Sequence, residues 1–199
     1  MYYGAYKNLR NSAWQCLLDC GITKLPIDVR AIAKQAGIHI VQNSAVNELL
    51  PTERGKSFFY DNRWIIIYDD RYETTASRYT IAHELGHIFL GHELQQAFYD
   101  GTQMFHKKPQ AEQYADRFAI RLLCPACVLW GLDLHTTDEI AAYCRIDKEQ
   151  AEPRAQRMKL LYDRQKFLTS ELEQKVFENF HDYIQQERRK IQTERFALK

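Results

Sequence analysis

No stretch of this 199-residue chain is apolar for long enough to span a bilayer, and the opening Met1-Tyr2-Tyr3-Gly4-Ala5-Tyr6-Lys7 lacks the apolar run of a signal peptide. Those absences predict a cytoplasmic protein with no membrane partner. An excess of charge of either sign is missing too. With 27 Lys+Arg against 26 Asp+Glu, a nucleic acid or an acidic surface would have to be met by a local patch rather than by the field of the whole molecule. Nor is there an even set of cysteines. The five present, in a chain without an export signal, fit reduced thiols better than a disulfide framework. What is present is a 45% hydrophobic content, enough for one real core.

The N-terminal third reads as helix, helix, strand and hairpin. Leu9, Ala13, Trp14, Leu17 and Leu18 recur at helical spacing before Gly21, and a second short helix is expected from about Pro26 to Asp28 up to Gly37. Ile38, Ile40 and Val41 suggest a strand. Lys56 to Tyr60 and Arg63 to Tyr68 are aromatic and β-branched runs joined by Asp61-Asn62, a pair that tolerates the positive φ of a tight turn. The run Trp64-Ile65-Ile66-Ile67 looks buried on both faces. A small twisted antiparallel sheet packed on helices is the expected outcome.

The most telling stretch is His83-Glu84-Leu85-Gly86-His87. Residues four apart on a helix project from one face about 6 Å apart, so both imidazoles can meet one metal ion. The helix is expected from Thr74 or Thr75, either a plausible cap, to Leu90, with Gly91 as its stop. Ile81, Leu85 and Ile88, with Ala82 and Phe89, fall on one side and the two histidines roughly opposite. The alternative is a polar, solvated helix face, which would leave Glu84 and Gly86 unexplained where a peptidase wants them.

Two histidines need a third protein ligand. His92 and Glu93 are nearest, but the metzincin pattern of a later Gly and His fails on register here, and His92 suits the negative end of the helix dipole instead. A better ligand lies in the helix expected from Pro109 to Leu123, halted by Pro125. There Glu112, Asp116, Ala119 and Leu123 form one stripe beside Ala115 and Leu122. Ala115 and Ala119 would permit close approach to the motif helix at Gly86, which brings Glu112 to the metal. Asp116, one turn later, is placed to accept the free N–H of a ligating histidine.

The run Arg78 to His92, followed by Glu112-Gln113-Tyr114-Ala115-Asp116-Arg117-Phe118-Ala119 and Leu122-Leu123-Cys124-Pro125, closely resembles the ImmA/IrrE family of metallo-endopeptidases over roughly residues 27–129. Cys124 stands where many relatives carry Met. The resemblance implies an α+β, gluzincin-like zinc fold with His83, His87 and Glu112 on the metal. It also implies a regulatory role, the cutting of a repressor or other regulator of mobile elements or stress responses. Zinc held by three protein ligands keeps a fourth position for solvent and acidifies it. Glu84, rotated about 100° from His83, can then serve as general base, with His106, Tyr114 or Tyr79 as candidate oxyanion stabilisers. The segment Lys56 to Tyr60, as an edge strand, is a candidate for holding an extended substrate. The rival reading is a non-cleaving regulator that uses the same fold to bind protein or DNA.

Three regions follow from this reading: a peptidase domain over 1–130, a small helix-turn-helix-like subdomain over 131–163 and an amphipathic C-terminal helix over 164–199. The second region has short helices joined at Ile146-Asp147, but Asp147, Glu149, Glu152 and Pro153 argue against direct DNA binding. In the tail, Leu168, Leu172, Val176, Phe180, Tyr183 and Ile184 line one side, for domain packing by default or for a homodimer. Cys124 and Cys127, like Cys16 and Cys20, read as core thiols rather than a redox pair, because Cys124 follows a helix instead of a strand.

Overall fold

The computed structural model describes residues 1–3, 9–92 and 109–197. Along them run α1 (Leu9–Asp19), α2 (Val29–Gln35), β1 (His39–Gln42), α3 (Asn43–Val46), β2 (Gly55–Tyr60), β3 (Arg63–Tyr68), α4 (Thr74–Leu90), α5 (Pro109–Leu123), α6 (Ala126–Gly131), α7 (Thr137–Cys144), α8 (Lys148–Asp163), α9 (Glu171–Asn179) and α10 (His181–Ala197). These form two compact units, Met1–Ala13 with Asp28–Ile120 and Trp14–Ile27 with Arg121–Lys199. Among the described residues no helix is long and apolar enough to cross a membrane.

The first unit is built on a three-stranded sheet of order β1-β3-β2. It is mixed rather than antiparallel: β2 and β3 form the expected hairpin, but β1 pairs with β3 in parallel. The cause lies in β3, whose Ile66 and Ile67 are buried and which therefore takes the middle, with a neighbour on each side. The hairpin supplies one neighbour through Asp61 and Asn62, at φ 49° and 59°. Residues 43–62, with α3 and β2 among them, provide the long crossover that a parallel partner requires.

Helix α4 lies against β2, β3 and α2. Thr74 is its first helical residue, so neither threonine caps it; Glu73 takes that position without a side-chain bond. Burial of Ile81, Leu85, Ile88 and Phe89, at roughly 1.5–3 kcal/mol each, outweighs a missing cap worth about 1 kcal/mol. Gly91 ends the helix as expected, in the left-handed region at φ 74°. The N-terminus of the chain fastens that end: the Tyr3 N–H donates to the Phe89 carbonyl at 2.7 Å and the two rings meet edge-on.

In the second unit α6 is the hub, contacted by α9 and α10. A Cβ at Gly131 would fall 2.7 Å from Phe177 and 2.9 Å from Ile184, so the glycine sets how closely those helices approach. The tail is two helices instead of one. It breaks at Phe180, and Leu168, at φ 55°, precedes the first of them. Val176, Phe180 and Ile184 are buried, so this part of the stripe packs within the chain. Helix α7 opens on a capping box between Thr136 and Glu139 and ends at Arg145 in the left-handed region; α8 then runs on through Pro153, longer than expected. Arg154 of α8 is buried and donates to the Cys124 carbonyl.

All five cysteines are free. Burial, then the nearby Glu173 carboxylate, pushes the Cys127 thiol up to about 12, whereas a hydrogen bond with Cys16 brings the half-exposed Cys20 thiol below its ordinary value. Thiolate character and access decide alkylation rates. Iodoacetamide at mildly alkaline pH is therefore expected to modify Cys20 first in the folded protein, and Cys16, Cys124, Cys127 and Cys144 only after unfolding. Peptide mass spectrometry checks this, and labelling of Cys127 as fast as Cys20 would contradict it.

Candidate metal centre

Helices α4 and α5 converge where the chain has little side chain to keep them apart. A Cβ at Gly86 would sit 3.1 Å from the Ala115 Cα and 3.2 Å from its carbonyl oxygen, and Ala115, Phe118 and Ala119 are fully buried. The close approach inferred from these small residues is thus present. It brings His83 and His87 of α4 against Glu112 of α5. The two Nε2 atoms are 3.0 Å apart, His83 Nε2 is 3.2 Å from Glu112 Oε2, and His87 Nε2 is 3.3 Å from Oε1. A tetrahedral ion with ligands near 2.0–2.1 Å has ligand-to-ligand edges of about 3.3 Å. Each histidine meets a different Glu112 oxygen at about that edge length, and with one ligand atom from each residue the three lie within 4.8 Å of one another, close enough to converge on one ion by a small turn of the carboxylate. Theirs is the one such group of three metal-type ligands among the described residues.

The surroundings favour positive charge at this point. Burial alone would lower the basicity of His83, but hydrogen bonds with Asp116 and then Glu112 raise its pKa to about 9. The Asp116 and Glu112 carboxylates that raise it also favour a cation at this point. Asp116 Oδ1 lies 2.8 Å from His83 Nδ1, which leaves Nε2 turned toward Glu112, and the same oxygen accepts from the Tyr79 hydroxyl at 3.2 Å. The hydrogen bond with His83 holds the Asp116 carboxyl below its usual value. His87 is 1% exposed, and its Nδ1 lies 3.1 Å from Nδ1 of His92. His92 thus orients a candidate ligand, a role the sequence reading missed when it assigned the residue to the helix dipole.

Glu84, one residue from His83 on α4, reaches the sheet. It is 2% exposed, and the Ser57 hydroxyl of β2 donates to its Oε2 at 2.7 Å. Gly55, on the same face of β2, makes room: a Cβ there would lie 2.5 Å from Thr80 Cγ2 and 3.4 Å from Glu84 Cγ. Ser57 was also missed by the sequence reading. Its signal was one small hydroxyl on the face of β2 that period-two alternation shares with Gly55.

Of the three candidate oxyanion stabilisers, Tyr79 already donates to Asp116. Tyr114 accepts from Gln110 Nε2 at 2.8 Å, and its ring centroid is 6.3 Å from that of His92. His106 lies outside the described residues.

A family model described as the IrrE N-terminal-like domain, peptidase family M78, matches residues 33–156. A solved Mycobacterium tuberculosis transcriptional regulator superposes with a TM-score of 0.54 at 15% identity, over 75% of this chain and 47% of that one. At that identity the likeness is one of fold, and this chain spans about half the regulator's length. No curated protein matches the sequence.

Two outcomes follow from this geometry. Gly86→Ala is expected to force α4 and α5 apart, with a stability loss of about 1–3 kcal/mol and weaker metal uptake, read by thermal melts with and without added zinc. Asp116→Asn keeps the shape but loses the anionic partner of His83, so metal affinity should fall about 10- to 100-fold in a chelator competition while the melting point of the untreated protein changes little.

Proposed function

Since the chain belongs to the IrrE N-terminal-like family of M78 peptidases, we propose that it is a zinc-dependent endopeptidase that cuts a regulatory protein, such as a repressor. In this reading His83, His87 and Glu112 form a gluzincin-type ligand set and Glu84 is the general base. The observation that carries it is the pairing of two independent arrangements. Three metal-type donors from two helices cluster within 4.8 Å of one another, and a buried carboxylate one residue from the first donor is held by a hydroxyl from the sheet.

Zinc, when bound, acidifies a solvent molecule and polarises the scissile carbonyl. The protein supplies the rest. The Ser57 hydroxyl donates to one oxygen of Glu84, which fixes the rotation of the carboxylate. Glu84 takes a proton from the attacking water and delivers it to the departing amine. Asp116 holds the His83 ring, and His92 that of His87, which keeps both Nε2 atoms pointed inward. Of the two described tyrosines, Tyr114 is the better oxyanion donor, because its hydroxyl accepts from Gln110 and retains its own proton to give.

An extended substrate is expected along β2, an edge strand among the described residues. The Asp69 N–H donates to the Arg54 carbonyl at 2.8 Å, so the bonded pairs in this register fall on even-numbered β2 residues. Gly55, Ser57 and Phe59 accordingly turn their N–H and C=O groups outward, where a peptide can pair with them.

The second reading, regulation without cleavage, is supported by the likeness of fold to a protein described as a transcriptional regulator. One experiment separates the two. Zinc-loaded protein is incubated with a cell extract or with the product of the adjacent reading frame, and new N-termini are identified by terminal labelling. The peptidase reading expects discrete cleavage by the parental protein, none above background by Glu84→Gln at equal zinc content, and a turnover loss of about 10- to 100-fold with unchanged KM for Ser57→Ala. Binding of a partner without new termini would favour the regulator.

A further inference from the structure

At the opposite edge of the sheet from Ser57, β1 borders a cavity of about 380 Å³ that the metal chemistry leaves unused. Arg30 and Lys34 of α2, His39 of β1 and Arg63 of β3 line it together with backbone around Gly37, and no acidic residue does. In a chain balanced at 27 basic against 26 acidic residues, this is the local basic patch that an anionic partner would need.

Two of the cations are set up for recognition. The Arg30 guanidinium donates to the hydroxyl of Tyr68 at 2.7 Å and stacks 5.0 Å from the centroid of its ring, and Tyr68 is itself buried in β3. That contact holds the guanidinium plane and leaves further N–H groups to give, so less side-chain freedom is lost when an anion arrives. Arg63 contacts Asp61 at 3.4 Å, with both side chains more than half exposed. A surface pair of this kind is worth at most about 1 kcal/mol and yields readily to a better anion. Among the described residues no carboxylate pairs with Arg30 or Lys34.

We propose that this cavity binds a small phosphorylated ligand, a di- or triphosphate met by Arg30 and Lys34, one turn apart on α2, with His39 and Arg63 adding charge from the edge of the sheet. The planar fork of Arg30 suits paired phosphate oxygens, and Lys34 beside it supplies a point charge. The volume lies within the range of small-molecule sites, roughly 300–1,000 Å³, which favours a compact ligand over a length of nucleic-acid backbone. The cavity borders β1 and Glu84 contacts β2, with β3 between these strands, so the anion site is separate from the metal centre.

Inorganic pyrophosphate titrated by calorimetry into the full chain, with no metal added and at low salt, tests this. Saturable one-to-one binding is expected, weakened about tenfold or more in Arg30→Ala and in Arg63→Ala. Arg30→Lys, which keeps the charge but loses the fork, should still lose several-fold. Lys159→Ala, at an exposed position of α8, should bind as the parent does. Arg63 and Lys159 are exposed, so thermal melts of their variants should match the parent's, while Arg30→Ala, which loses the bond to the Tyr68 hydroxyl, is expected to melt slightly lower but still cooperatively. The proposal fails if no saturable binding occurs, or if Lys159→Ala weakens binding as much as Arg30→Ala. It also fails if a duplex oligonucleotide binds at these residues and pyrophosphate does not displace it.

Discussion

The near-contact of α4 and α5 at Gly86 and Ala115 is the constraint on which the site depends. Histidines four apart on one helix present two donors and no more, and the third has to come from another element at a distance set to a few tenths of an ångström. A hydrogen in place of a side chain at residue 86, and a methyl at residue 115, bring the two backbones within 3.1–3.2 Å of where a Cβ would stand. Buried apolar contacts then hold that distance: Phe89 and Phe118 pack edge-on across the same pair of helices, 6.1 Å between centroids. The polar centre thus takes its geometry from an apolar seam.

Around the three donors, each group that bears on chemistry has a neighbour that sets its orientation. His83 is turned by Asp116, which Tyr79 contacts in turn; His87 is turned by His92; Glu84 is turned by Ser57. The supports come from different places in the chain, a helix, a helix end and a strand, so no single element controls the whole arrangement. Packing and hydrogen bonding of this sort lock rotamers before any reaction begins.

Much of this was legible in the residues. The spacing of His83 and His87, the small residues Gly86, Ala115 and Ala119, and the Glu112–Asp116 stripe all carry their meaning locally, because helical periodicity converts position into direction. The Asp61-Asn62 turn and the Gly91 stop were legible for the same reason, as backbone preferences of single residues. What escaped was non-local. The parallel placement of β1 beside β3 depends on a crossover, and alternation within a strand is blind to which neighbour it pairs with. Ser57 looks like any strand serine until β2 is laid against α4, and His92 like any helix-end histidine until its ring is seen against that of His87. The tail's break at Phe180 was hidden because its apolar pattern continues across the break, while packing on α6 decides where each helix lies.

Ser57 belongs to two systems at once. Its side chain braces the buried carboxylate, and its main chain lies on the exposed margin of the sheet. Under the proposed function, a polypeptide pairing with that margin would bear on the same residue that braces Glu84, so capture and chemistry would share one mechanical element.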